Sequence, residues 1–129
     1  MNLKALIIDE PWIEKILSGL KTWEMRKHNC NLRGWIGLIR KGSGLVVGVA
    51  EILGSETPIA TLAEYADSEH RHGVPPERQR LAFNEGWRTP WVLQHAKRLV
   101  KPVPYKHPSG AVIWVNLHPS VAKAVEAQV

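Results

Sequence analysis

The sequence predicts an α+β fold: a small β-barrel of five or six strands with short helices packed at its ends. Three observations point there. Apolar, β-branched-rich runs of strand length recur at 3–8, 34–40, 45–53 and 111–117. Short helical patterns fall between them. Gly37 and Gly48 sit inside the central strand patterns, and glycine within a strand marks a bend or a close backbone approach, as in a tightly curled barrel.

Residues 3–8 read as the first strand. Asp9 then precedes Glu10 and Pro11, an N-cap followed by an acid and a proline in the first turn. Trp12, Ile13, Ile16 and Leu17 repeat at helical spacing and Gly19 is a natural stop, so a helix is expected over about 10–18. Residues 21–25 alternate as a short strand, and 28–32 are polar and irregular, a loop. Residues 34–40 form a buried strand, Lys41-Gly42-Ser43-Gly44 a hairpin turn, and 45–53 its return. Helices are expected over 61–66 and over 75–84, the second opened by Pro75 and Pro76, with a loop at 70–73 between them. Residues 91–99 fit a strand, with helix as the alternative by periodicity. Pro102 and Pro104 are expected to interrupt the chain. Residues 111–117 are a strand around Val112, Ile113, Trp114 and Val115, and Pro119 opens a C-terminal helix.

The chain has 129 residues, 44% hydrophobic and 22% charged, which fits one domain over 1–129 and excludes disorder, collagen and coiled coil. The longest apolar stretch, 44–50, is too short to span a bilayer, so no membrane partner is expected. The stretch 5–8 is too short for the apolar region of a secretory signal. Cys30 is the sole cysteine, which excludes an internal disulfide and a cysteine metal cluster and points to a reducing cytoplasm.

The net charge is +5, unevenly placed. Lys21, Arg26, Lys27, Arg33, Arg40 and Lys41 face only Glu24 within 21–41. Arg88, Lys97, Arg98, Lys101 and Lys106 face no acid within 88–107, while 51–87 are predominantly acidic. If the basic segments share a face, it suits a polyanion; otherwise they form a solvated basic surface.

One stretch is more specific. Ile16-Leu17-Ser18-Gly19-Leu20-Lys21-Thr22-Trp23-Glu24-Met25-Arg26 has the form I-L-x-G-x-K-T-x-E-x-R. It follows the Glu10-Pro11-Trp12 helix start and precedes R-G-W-I-G-L-I-R at 33–40. In this order the chain resembles the ASCH domain (activating signal cointegrator homology), a member of the PUA-like superfamily. The resemblance is best over 1–53 and continues through 104–117. It implies a β-barrel with helices at one end, enclosing a cleft that binds RNA or single modified bases. Within the family, small bacterial members are amidohydrolases that deacetylate N4-acetylcytidine with a Lys, a Thr and a Glu, and another is a ribonuclease. The family lysine falls on Lys21. The position of the nucleophilic threonine holds Glu24, and the catalytic glutamate falls near Glu69 or His70. Thr22, one residue after Lys21, would point to the opposite strand face.

Read from the residues themselves, Lys21 and Glu24 point apart on a regular strand, unless the Gly19-Leu20-Lys21 turn sets Lys21 at the mouth of the cleft beside Glu24 and Arg26. Together Lys21 and Arg26 would hold a phosphate or carbonyl, and Glu24 would accept from an exocyclic amine. A desolvated Lys21 would serve as a general base. The structural alternative is a Glu24–Arg26 pair that only supports the barrel. Trp12 and Trp23 flank the motif as stacking candidates. Trp35 and Trp114 are expected in the core, and Trp87 and Trp91 line the cleft or cap the barrel. Tyr105, Lys106 and His107 form a loop that would close over a base or contact phosphates. His70 and His72, near Asp67 and Glu69, match no metal-ligand spacing, so neither metal nor cofactor is expected. No phosphate-binding glycine loop, nucleophile elbow or zinc-protease motif is present.

The leading expectation is therefore a module binding RNA or a modified nucleoside through Trp12, Lys21, Trp23, Glu24, Arg26, Tyr105 and Lys106, its RNA binding sensitive to salt. One alternative is a small hydrolase acting on RNA or on an acylated nucleoside, with Lys21, Glu24 and Glu69 as catalytic groups. Another is a protein-interaction domain.

Overall fold

The computed structural model describes residues 2–129. Its strands are β1 (Lys4–Ile8), β2 (Trp23–Arg26), β3 (Arg33–Arg40), β4 (Leu45–Ser55), β5 (Thr89–Pro104) and β6 (Trp114–Asn116). Its helices are α1 (Trp12–Leu17), α2 (Leu62–Asp67), α3 (Glu69–His72), α4 (Pro76–Asn84) and α5 (Pro119–Glu126). The strands form one sheet in the order β2-β5-β4-β3-β1-β6. The β1–β3 pair is parallel and every other pair antiparallel.

Side-chain alternation divides the core between the two faces of this sheet. Leu6 and Ile8 of β1 pack with Ile36, Leu38, Ala50, Ile52 and Leu93, and α1 covers that face through Ile13, Ile16 and Leu17. Ala5 and Ile7 pack with Val46, Val49, Leu99 and Val115, and α5 covers that face through Ala122 and Val125. The sheet is a curled half-barrel. Arg26 Nη2 of edge strand β2 reaches the Ile7 carbonyl of β1 at 2.9 Å. Trp91, on the strand beside β2, stacks on Trp114 of the other edge strand at 5.9 Å between ring centroids. β2 and β6 do not pair, so a seam stays open between the two ends of the sheet. The α2–α4 segment, with its own small core of Met25, Ile59, Tyr65 and Val74, covers this seam.

The glycine inference holds at Gly48. A Cβ there would collide with the Leu17 side chain and lie 2.8 Å from the Lys97 carbonyl oxygen, so the crossing of β4, β5 and α1 requires glycine. Several expectations are corrected. Asp9 does not cap α1, which begins after Pro11; its carboxylate instead accepts from the Glu10 N–H at 2.9 Å. The expected loop at 70–73 is the helical turn α3, closed by Gly73 at φ 67°, a left-handed cap that glycine adopts without strain. β5 runs as a strand through both prolines. Its register against β4 jumps between Gly48↔Arg98 and Val46↔Val103, so Pro102 falls in a bulge where no ladder N–H is needed. β6 covers only part of 111–117. Trp35 is 56% exposed and Trp114 half-buried, because apolar flanks do not determine which side of a curled sheet is covered. Among the described residues no helix is long and apolar enough to cross a membrane.

Candidate functional site

The seam is a cleft of about 910 Å³ between the sheet edges and the α2–α4 segment. Its geometry starts at the end of α1. Ser18 and Gly19 end the helix, and the Lys21 N–H donates to the Lys15 carbonyl at 3.0 Å. This turn directs the Lys21 side chain inward before β2 begins at Trp23, so Lys21 and Glu24 meet although a regular strand would separate them. Lys21 Nζ lies 3.5 Å from Glu24 Oε1. Glu24 Oε2 accepts from Arg26 Nε at 3.1 Å and Nη2 at 2.9 Å, and the same Nη2 donates to the Ile7 carbonyl across the seam. The predicted Lys21, Glu24 and Arg26 cluster is thus assembled.

The three side chains differ in what they have left to offer. Lys21 Nζ donates to the Trp23 and His72 carbonyls, each at 2.5 Å, and faces Glu24 with its remaining proton. Burial lowers its pKa to about 8, and the Glu24 carboxylate pulls in the opposite direction. Arg26 Nη1 has no protein partner among the described residues, and the guanidinium carbon lies 5.4 Å from the Trp91 ring. Glu24 Oε1 has only the long contact to Lys21, so one lone pair remains for a ligand donor.

Aromatic rings line the cleft. Trp12, Trp87, Trp91, Trp114 and Tyr65 all face it. Trp91 and Trp114 are stacked on one another, 12° from parallel, with Trp91 buried and Trp114 half-buried. Trp91 is fixed by donation from Nε1 to the His28 carbonyl at 2.7 Å. Lys21 Nζ lies 5.3 Å from the Trp12 ring centre and Lys27 Nζ 4.7 Å from that of Trp87. Tyr65 is fully buried and donates its hydroxyl to the Trp87 carbonyl at 2.8 Å. Burial, with the Glu24 charge adding to it, pushes this phenol up to about 12, so it stays a donor at neutral pH. Behind Tyr65, the His72 ring accepts from the Val74 N–H at Nδ1 and donates from Nε2 to the Tyr65 carbonyl at 2.6 Å. That pairing requires the neutral imidazole, and burial lowers the His72 pKa accordingly.

Five cations, Lys21, Arg26, Lys27, Lys41 and Arg78, share the cleft with four carboxylates, Asp9, Glu10, Glu24 and Glu85. The cleft is therefore close to neutral. From the basic segment 88–107 only Trp91 reaches it, so the two basic segments do not meet there.

Other predicted residues lie elsewhere. Trp23 is on the opposite side of β2 from Glu24 and Arg26, under the Arg71 guanidinium at 5.3 Å. Glu69 is on α3 and accepts from Gln79 Nε2 at 3.1 Å. Tyr105 follows β5 beside the Gly44 turn, its hydroxyl 2.8 Å from His107 Nδ1, and Lys106 is exposed. None of these four lines the cleft, and no Ser, Thr or Cys side chain does either. Among the described residues no cluster of His, Cys, Asp and Glu could hold a metal. Sequence reasoning missed Tyr65 and Trp114. The hydrophobic position of Tyr65 on α2 gave no sign of a partner 22 residues away.

A model of the ASCH domain matches residues 6–103. The crystal structure of ASCH from Zymomonas mobilis is similar to this chain with a TM-score of 0.69 at 14% identity, over 96% of this chain and 93% of that one. Two single-substitution variants of the same Zymomonas mobilis protein are similar with TM-scores of 0.64 at 15% identity, over 96% of this chain and 94% and 96% of theirs. At such identity the likeness shows the fold alone. No curated protein matches the chain in sequence.

Proposed function

The chain belongs to the ASCH domain family, and from that membership we propose that its seam cleft binds a single base, presented by RNA or by a modified nucleoside. One observation carries this reading. The half-buried indoles of Trp12 and Trp114 line the cleft beside a buried carboxylate with one lone pair left and a guanidinium with one nitrogen unpartnered. A base needs such a set: a π-face to stack on, an acceptor for its N–H, and a donor for its carbonyl or ring nitrogen. The near-neutral lining supports a base rather than a phosphate backbone as the cleft's occupant. Lys21 acts here by holding the Glu24 side chain in place.

The test is an equilibrium titration of the four ribonucleosides and N4-acetylcytidine with the wild type and Arg26→Ala. At least one nucleoside binds the wild type, with little change between low and high salt because the ligand carries no charge. Arg26→Ala weakens it by about tenfold or more, as expected for losing a charge-assisted hydrogen bond. Affinity unaltered by Arg26→Ala, or no nucleoside binding at all, would sink the proposal.

One observation favours hydrolysis as a second reading: an amine whose pKa is drawn towards neutrality is suited to general-base work. With no serine, threonine or cysteine in the cleft lining and the Tyr65 hydroxyl committed to the Trp87 carbonyl, such an enzyme would have to activate water directly. Release of acetate from N4-acetylcytidine, or cleavage of RNA, that disappears in Lys21→Met would support it. Absence of turnover by the wild type would dismiss it.

A further inference from the structure

The face of the sheet covered by α5 is covered only in part. Along β3, Gly37 lies against Ala5, Val46 and Leu117 in that covered core. Two residues earlier on the same face, Trp35 is 56% exposed. Its register partner on β4 is Glu51, and beyond Glu51 on β5 lie Gln94 and His95. One side of the Trp35 ring is backed by the His95 imidazole, at 6.3 Å between centroids and 27° between planes. Glu51 Oε1 accepts from Gln94 Nε2 at 2.8 Å and lies 3.4 Å from His95 Nδ1. His95 has φ 54°, a left-handed conformation that few non-glycine residues adopt. It occurs where the β4–β5 register shifts between Val49 and Glu51, and this bulge delivers the imidazole to the indole.

The result is a backed, open aromatic surface. Its two rings, tilted by 27° to one another, make a platform rather than a cage, which fits a flat ligand. Arg33, exposed on the same strand face and about 7 Å along it, lies on one side. Lys97, exposed two residues after His95, lies on the other, its Nζ 3.5 Å from the Gln128 carbonyl. Glu51 is the one carboxylate in the patch, and its side chain is 29% exposed, available to a base amine. The cleft contributes little of the chain's +5 net charge, so a bound polyanion must find its cations on other surfaces.

We propose that the Trp35–His95 platform, flanked by Arg33 and Lys97, is a second binding site, for single-stranded nucleic acid, with one base stacked on the Trp35 indole and the flanking phosphates on the two cations. Stacking on an exposed ring between cations is how sequence-tolerant single-strand binding works. None of these residues lines the seam cleft, so the platform does not depend on the cleft binding a base.

The test compares the wild type, Trp35→Ala, Trp35→Phe and Arg26→Ala for binding of a single-stranded mixed-sequence oligoribonucleotide of about 12 nucleotides. Free nucleosides and the melting temperature are measured in parallel. Trp35→Ala is expected to weaken the oligonucleotide about tenfold, the loss of one base stack, and to leave nucleoside binding and melting temperature unchanged. Trp35→Phe recovers most of the loss, and added salt weakens the wild-type complex. If no nucleoside binds but oligonucleotide binding still depends on Trp35, the cleft reading falls and the platform stands. Wild-type oligonucleotide affinity in Trp35→Ala overturns the platform, as does no oligonucleotide binding by the wild type. Self-association of the wild type in sedimentation that Trp35→Ala abolishes also overturns it, since a second copy would then be the occupant.

Discussion

A lysine whose three donors all face protein oxygens has none left for a ligand, and this sets how Lys21 behaves. Its ammonium ties the Trp23 and His72 carbonyls to Glu24, joining the start of β2, the end of α3 and the floor of the cleft. Burial lowers its pKa from 10.5 to about 8. Between those values the unfolded chain keeps a proton that the folded chain has released, so stability through this group rises with pH across the window. Chemical denaturation of the wild type and Lys21→Met at pH 7.5 and pH 10 checks the sign. The wild type gains stability relative to Lys21→Met at the higher pH, whereas a relative loss would mean the amine stays charged when folded. The Lys21, Glu24 and Arg26 cluster was legible because the G-x-K-x-x-E-x-R spacing survives folding through one local turn. Trp35 and Trp114 were both read as core, although one is exposed and the other lines the cleft, since alternation assigns them to faces and only the curl decides which face is covered.

Among the elements, β4 and β5 show what local sequence can specify. Gly48 was identifiable as a close approach from its place in a β-branched run. The neighbours that make it close, Leu17 on α1 and the Lys97 carbonyl, are far away in sequence. Gly48→Ala should destabilise the protein by about 1–3 kcal/mol or more, because one of the two obstructions is backbone and overpacking there forces the strands apart. A melting temperature equal to that of the wild type would show that the crossing is looser than it looks. The 70–73 segment reads as a loop because its histidines and arginine lack an apolar period. It folds as a helical turn because Gly73 closes it and the neutral His72 ring satisfies two backbone groups. The prolines of β5 were read as breaks because their tolerance depends on a bulge opposite β4, which is a property of the pair and not of either strand.

Over the whole molecule, the half-barrel and its short helices were legible from strand-length runs and internal glycines, but its open seam was not. Closure depends on contacts between β2 and β1 and between Trp91 and Trp114, segments well separated in the chain, and periodicity carries no information about them. The seam puts four of the six tryptophans on one cleft, Trp12, Trp87, Trp91 and Trp114. Trp23 and Trp35 lie outside it, as internal controls. The most direct measurement is therefore a nucleoside titration followed through the indole N–H resonances in nitrogen-15 NMR spectra, assigned by single Trp→Phe substitutions. A base bound in the seam shifts the resonances of the four cleft tryptophans and leaves those of Trp23 and Trp35 in place. Indoles that all remain still under saturating nucleoside, or movement confined to Trp23 and Trp35, would contradict a base-binding cleft at the seam.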